Sequence, residues 1–142
     1  MNLSEKALGI KPSSTLSITE KAGQLRKEGK NVISFSIGEP DFDTPEHIKK
    51  AAIDAINEGF TRYTAAAGIV ELRQAVADKL KKDNGLDYDY TQIVISNGAK
   101  HSLINALMAV LNPGDEVIIP APYWLSYAEM VRIAGGTPVI VY

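Results

Sequence analysis

Two short stretches of this sequence combine residue types that suit anions and flat rings. Ser96-Asn97-Gly98-Ala99-Lys100 lies between a β-branched apolar run and a helical one. Gly98 lets the backbone approach a ligand closely, and the first amides of the helix that follows have no partners inside it. With the helix dipole they form an anion site, to which Lys100 adds a formal positive charge. The ligand such a turn suits is a phosphate. Neither G-x-x-x-x-G-K-[ST] nor G-x-G-x-x-G is present, which argues against a nucleotide-binding α/β module. An ordinary strand-to-helix turn that uses glycine only for its geometry is the alternative. The second stretch is Pro120-Ala121-Pro122-Tyr123-Trp124, with Tyr127 beyond it. It follows the carboxyl end of an apolar run, the place where open α/β sheets bind ligands. The indole of Trp124 offers a face for an aromatic cofactor ring. Its alternative is a core or interface aromatic. On adjacent loops the two stretches would open onto one rim.

Other candidates stand further upstream. In Ile37-Gly38-Glu39-Pro40-Asp41-Phe42-Asp43-Thr44-Pro45, Gly38 can present a bare backbone amide to a substrate carboxylate, or the stretch is simply a helix-entry turn. Glu39, Asp41 and Asp43 lack the glycine and distal glutamate of an EF-hand loop, so no metal is expected there. Tyr63, in the irregular stretch Thr61-Arg62-Tyr63-Thr64, can offer its hydroxyl to a phosphate. His47 and His101, the two histidines, read as surface or packing residues. With no cysteine there is no disulfide, zinc–thiolate or iron–sulfur framework and no thiol nucleophile.

The elements that must hold these residues follow from periodicity and punctuation. Ser17-Ile18-Thr19-Glu20 reads as a capping box, with a helix closed near Gly29. Ile33, Phe35 and Ile37 alternate with serines as in a half-buried strand or extended segment. Thr44 followed by Pro45 predicts a helix start, running to about Glu58 and closed by Gly59. Ile69, Leu72, Val76 and Leu80 mark a helix that ends at Asn84-Gly85. Ile93-Val94-Ile95 and Val117-Ile118-Ile119 read as strands buried on both faces. Between them, Lys100 to Leu111 is a helix apolar almost all round, hence expected to be buried, and the three form a βαβ unit. Asn112-Pro113-Gly114-Asp115 is a turn. Tyr123 to Ala134 is a helix ended by Gly135-Gly136, and Val139-Ile140-Val141 is a third strand. A parallel sheet is normally covered on both faces. With the last residue, Tyr142, following an apolar strand, the covering part is expected to be missing or supplied by another chain.

The 142 residues are 45% hydrophobic and 23% charged, the balance of a folded domain rather than a disordered segment. Fifteen Lys and Arg against seventeen Asp and Glu give a formal charge of −2, which excludes a strongly basic nucleic-acid binder. No run approaches a membrane span, and Met1 to Ile10 lacks the apolar region of a secretory signal. A cytoplasmic location is the default expectation.

The succession Gly38-Glu39-Pro40-Asp41-Phe42-Asp43-Thr44-Pro45, Tyr63, Gly98-Ala99-Lys100, Pro113-Gly114-Asp115-Glu116-Val117, Pro122-Tyr123-Trp124 with Ser126-Tyr127, and Ala134-Gly135-Gly136 resembles the amino-terminal part of class I pyridoxal-phosphate aminotransferases. The likeness is to the prokaryotic aspartate aminotransferase subgroup and covers essentially the whole chain. It implies an α/β fold: the start of the large cofactor domain of a fold type I enzyme, built of βαβ units with a mainly parallel sheet and stopping after the third predicted strand. Residues 1–45 would be the N-terminal arm and a small-domain segment, and residues 46–142 the first part of the large domain. Gly98, Ala99 and Lys100 would cup the phosphate of pyridoxal 5'-phosphate, and Trp124 would stack on its ring and border the substrate. Gly38 would meet the substrate carboxylate. Tyr63 would reach the cofactor phosphate of the other subunit, which implies a homodimer. The implied reaction moves an amino group from an amino acid, with aspartate the expected donor, to a 2-oxo acid, with the cofactor as electron sink. The family's Schiff-base lysine has no matching motif here, and Lys100 matches the phosphate loop instead. No catalytic residue is therefore assigned, and the chain alone is expected to be inactive unless complemented by a C-terminal chain. The alternatives are a lyase or synthase of the same fold type and a non-catalytic fragment or interaction domain.

Overall fold

The structure, a computed structural model, describes residues 2–10 and 12–142. It divides into two compact units, Met1–Asp43 with Leu107–Tyr142, and Thr44–Ala106.

The core of the first unit is a strand–helix–strand arrangement. β1 (Glu116–Pro120) and β2 (Thr137–Val141) pair in parallel, with Ile118 opposite Val139 and Ile119 opposite Ile140. β-Branched residues dominate both strands, and α6 (Ser126–Ala134) connects them. Ile119, Ala128 and Val131 are buried together, with Leu107, Leu111, Val117 and Ile140 packed around them. Burial of a side chain the size of Val or Ile is worth about 1.5–3 kcal/mol, so this cluster is the principal stabilising feature of the unit. Gly135, at φ 95°, ends α6 in the left-handed conformation that glycine adopts without strain. The Asn112–Asp115 turn forms as expected, with the Asp115 carboxylate accepting the Asn112 N–H at 2.7 Å.

Two helices precede this core in the chain. α1 (Glu5–Gly9) is capped by the Ser4 hydroxyl and was not anticipated from the pattern. α2 (Ser14–Lys27) starts earlier than the sequence suggests. Ser13 is its N-cap, and the Ser17 hydroxyl donates to Ser13 and Ser14 carbonyls from inside the helix, so the expected capping box at Ser17 does not form. The serine-rich run offered several competing caps, and the first of them prevails. The stretch from Val32 to Ile37 is extended but joins no sheet. It is tied to α2 by Arg26 Nε donating to Val32 O at 3.2 Å and by Thr19 Oγ1 meeting Ser36 Oγ at 3.1 Å.

In the second unit, α3 (Glu46–Asn57) begins one residue later than a proline at its first position would require, so Pro45 is the N-cap. α4 (Val70–Asn84) closes on Gly85 at φ 68°. A one-turn 3-10 segment, Tyr90–Gln92, starts in a capping box: the Asp89 carboxylate accepts from the turn's backbone, and Gln92 Oε1 accepts the Asp89 N–H at 3.0 Å. α5 (Gly98–Val110) follows.

Two expectations are corrected. Ile93–Ile95 is not a strand, so the anticipated βαβ unit around α5 is absent; the parallel pair is the later one, around α6. The backbone groups of this run are engaged elsewhere: the Ile95 N–H donates to Ala67 O at 2.9 Å, and Ile93 O accepts from the Arg73 guanidinium. Nor is α5 buried. None of its residues is fully buried, and Met108 and Val110 are 62% and 70% exposed. Its all-round apolarity describes a helix whose further faces have no cover among the described residues.

Candidate functional site

The loop that opens α5 is built by the second unit's own contacts. Arg73, on α4, donates from Nε to Tyr90 O at 3.1 Å and to Ile93 O at 2.9 Å. Its guanidinium also lies 5.3 Å from the centre of the Tyr90 ring, within cation–π range. Asp89 caps the 3-10 turn by accepting from the Thr91 hydroxyl at 2.6 Å and the Thr91 N–H at 2.9 Å. Those hydrogen bonds, the hydroxyl's first and then the amide's, hold its carboxyl below the ordinary value, with the Arg73 charge adding to them against a small desolvation. The Ile95 side chain presses on Gly68, where φ is +99° and a Cβ would stand 2.6 Å from Ile95 Cγ1. Arg73 and Gly68 therefore fix where the chain enters Asn97-Gly98. Neither stood out from the sequence; the glycine ahead of the helix and the arginine within it were the only signals.

At the loop itself Gly98 has φ +78°, and open space surrounds the place a Cβ would take. Its N–H donates to Ser96 O at 2.9 Å, and the Asn97 N–H donates to His101 Nδ1 at 3.1 Å. Ala99 and Lys100 form the first turn of α5, where amides have no carbonyl four residues earlier within the helix. The start of a 13-residue helix is a place where the dipole favours an anion. Tyr63 is fully exposed and shares a depression with Arg62, Asn97 and His101. The second unit thus brings Tyr63 beside the head of the Gly98 loop.

The other two candidates belong to the first unit. Trp124 follows β1 by four residues, is half exposed, and its carbonyl accepts the Tyr127 N–H at 2.9 Å. The strand pairing extends past β1 through the Ala121 N–H, which donates to Val141 O at 2.8 Å, so the indole stands just beyond the carboxyl end of the sheet. The Ala121–Pro122 peptide bond is cis. Gly38 lies in the extended stretch with open space around its Cα. Among the described residues no cluster of three metal-ligating side chains occurs, and no helix is long and apolar enough to cross a membrane.

Within the second unit, a glycine-opened helix start is of the kind that suits a phosphate; within the first, an exposed indole that could lie against a flat ring follows a strand. Comparison with known proteins bears on the same point. Residues 30–142 match the family model for aminotransferases of class I and II. The chain is 58% identical over 132 residues to a probable aspartate/prephenate aminotransferase of Rhizobium leguminosarum, covering 93% of this chain and 33% of that protein. It is 53% identical over 141 residues to the aspartate/prephenate aminotransferase of Nitrosomonas europaea, covering 99% of this chain and 36% of that one. Among solved structures, the aspartate aminotransferase of Thermus thermophilus with maleate superposes with a TM-score of 0.94 at 47% identity, covering 99% of this chain and 37% of that one. The chain therefore spans about a third of the length of the relatives it matches. With four-fifths of its residues inside the family match and this fold in common, the chain belongs to the class I and II aminotransferases.

Proposed function

We propose that this chain is the amino-terminal part of a pyridoxal-phosphate-dependent amino-acid transaminase that takes its amino group from aspartate. The acceptor is a 2-oxo acid; the names of the relatives make prephenate a candidate alongside 2-oxoglutarate. The observation that carries this reading is the start of α5, where Gly98 at φ +78° opens a helix terminus beneath clear space, in a chain with these relatives.

In this reading the first-turn amides at Ala99 and Lys100 hold the cofactor phosphate, and the Lys100 charge offsets its negative charge. Gly98 supplies the backbone turn and the clearance. Trp124 lies against the cofactor ring and excludes water from one of its faces. Gly38 leaves room for the substrate carboxylate at the backbone. Tyr63 of one protomer serves the phosphate site of the other, so the working form is a homodimer. The bound cofactor supplies an electron sink for the pair released at the substrate α-carbon. Residues 1–45 fall to the arm and small domain and residues 46–142 to the start of the large domain. The 142 residues produced alone do not transaminate, because the family's proton-carrying lysine has no counterpart motif among them. The location is the cytoplasm.

The test is amino transfer from aspartate to 2-oxoglutarate, followed as oxaloacetate, with the polypeptide at the full length of its relatives and added pyridoxal phosphate. Turnover that needs the cofactor supports the reading, and its absence in the full-length protein overturns it. Turnover by the 142-residue chain alone overturns the assignment of the lysine.

A further inference from the structure

His101 looks incidental in the sequence, yet its side chain is tied to the backbone at the head of the Gly98 loop. The Asn97 N–H donates to its Nδ1 at 3.1 Å. This reverses the ordinary helix start, where a side chain before the helix accepts from an amide within it. Here a side chain one turn inside the helix accepts from the residue before it. The Gly98 N–H is also engaged, by Ser96 O. Both amides ahead of the first turn are thus directed to acceptors within the protein, and that sets the orientation of the backbone as it passes into Ala99.

An imidazole accepts at only one nitrogen, and only when neutral. Because Nδ1 accepts, the ring's proton sits on Nε2. A second proton on Nδ1 would set two N–H groups against each other across the same 3.1 Å. The titratable side chains lining the depression beside the ring are Arg62 and Tyr63; no carboxylate lines it, and Lys100 is its neighbour on α5. A bound phosphate would place negative charge near this ring, but the backbone conformation that receives it depends on the ring remaining an acceptor.

We infer that His101 is a positioning residue for the anion loop, holding Asn97 through Nδ1 so that the loop binds phosphate in its receptive form only while the imidazole is neutral. This rests on the reading of the loop as the cofactor-phosphate site. It gives that site a pH dependence of its own, separate from the titration of the cofactor.

The experiment measures the dissociation constant of pyridoxal phosphate by fluorescence between pH 5.5 and 8, using the full-length polypeptide and its His101→Gln and His101→Leu variants. Glutamine keeps an uncharged acceptor; leucine has none. At pH 8, H101Q is expected to bind within about twofold of the unsubstituted protein and H101L about fivefold more weakly, the size of one lost hydrogen bond. Between pH 8 and pH 5.5 the unsubstituted protein is expected to lose about tenfold more affinity than H101Q, whose acceptor carries no proton to gain. Titration of the cofactor phosphate is common to both proteins and cancels in that ratio. The 15N spectrum of the His101 ring in cofactor-free protein supplies a second readout, with the neutral form expected to carry its proton on Nε2. Parallel pH curves for H101Q and the unsubstituted protein, or a proton on Nδ1, overturn this inference and leave the cofactor reading standing. Failure of the unsubstituted protein to bind the cofactor at any pH overturns that reading and this inference with it. If H101L does not fold, H101Q and the ring spectrum still decide.

Discussion

The β1–α6–β2 region and the stretch from Val32 to Phe42 are both rich in large apolar residues, and their environments are opposite. Ile119 and Val131 are 5% and 2% exposed, whereas Phe35 and Phe42 are 95% and 87% exposed. Hydrophobicity does not separate them. The first region has all its partners close by in the chain: two parallel strands, the helix between them and the preceding Leu107 and Leu111 close a small core within 35 residues. The second is extended, held to α2 by side-chain hydrogen bonds, with no strand beside it among the described residues. Apolar residues alone call for cover; whether they become core depends on which partners the chain supplies. The relatives it matches are about three times as long.

The largest expected effect comes from the closed core. Val131→Asp should destabilise the chain by more than about 4 kcal/mol, because an unpaired carboxylate would replace a packed methyl pair; urea denaturation followed by circular dichroism measures it. A loss below about 1 kcal/mol would mean that this region is not the principal core. Next comes a contrast between two glycines with positive φ. Gly68→Ala should cost about 2–4 kcal/mol, since the new methyl would meet Ile95 at 2.6 Å as well as straining the backbone. Gly85→Ala, with φ 68° and open space, should cost only about 1 kcal/mol. Equal losses would show that conformation, not contact, governs both. Phe35→Asp should change the stability of the 142-residue chain by less than about 0.5 kcal/mol and raise its solubility. A large loss there would erase the distinction between the two regions. The smallest effect is at Asp89. Its carboxyl should titrate below its ordinary value near 3.8, visible in an NMR titration. A lowered folded-state value means that the cap's contribution is fully present above the unfolded value and is lost as the pH falls through the folded one. An Asp89 midpoint at or above 3.8 would show that the Thr91 contacts do not persist in solution.

The sequence was most legible where signals were local. Gly59, Gly85 and Gly135 end their helices as the pattern indicated, and the strands at Val117–Ile119 and Val139–Val141 pair as parallel neighbours. It was least legible where the outcome depended on distant partners. Ile93-Val94-Ile95 has the composition of a buried strand, but Ala67 and Arg73 take up its backbone groups. α5 has the composition of an interior helix but lies open along much of its length. At the candidate site, Gly98 and the following helix start could be read directly from residue types. The His101 contact could not, because a histidine one turn into a helix carries no mark of whether its ring folds back.

The seating of Ile95 against Gly68 also constrains how this protein can vary. Because the clash from any side chain at residue 68 falls on the branch carbons of Ile95, relief can come from across that gap. In a saturation library, Gly68→Ala should be recovered chiefly in clones that also carry Ile95→Gly, because alanine would keep the Cβ that stands 2.8 Å away. The two codons would then be inherited as a pair, although 27 positions separate them.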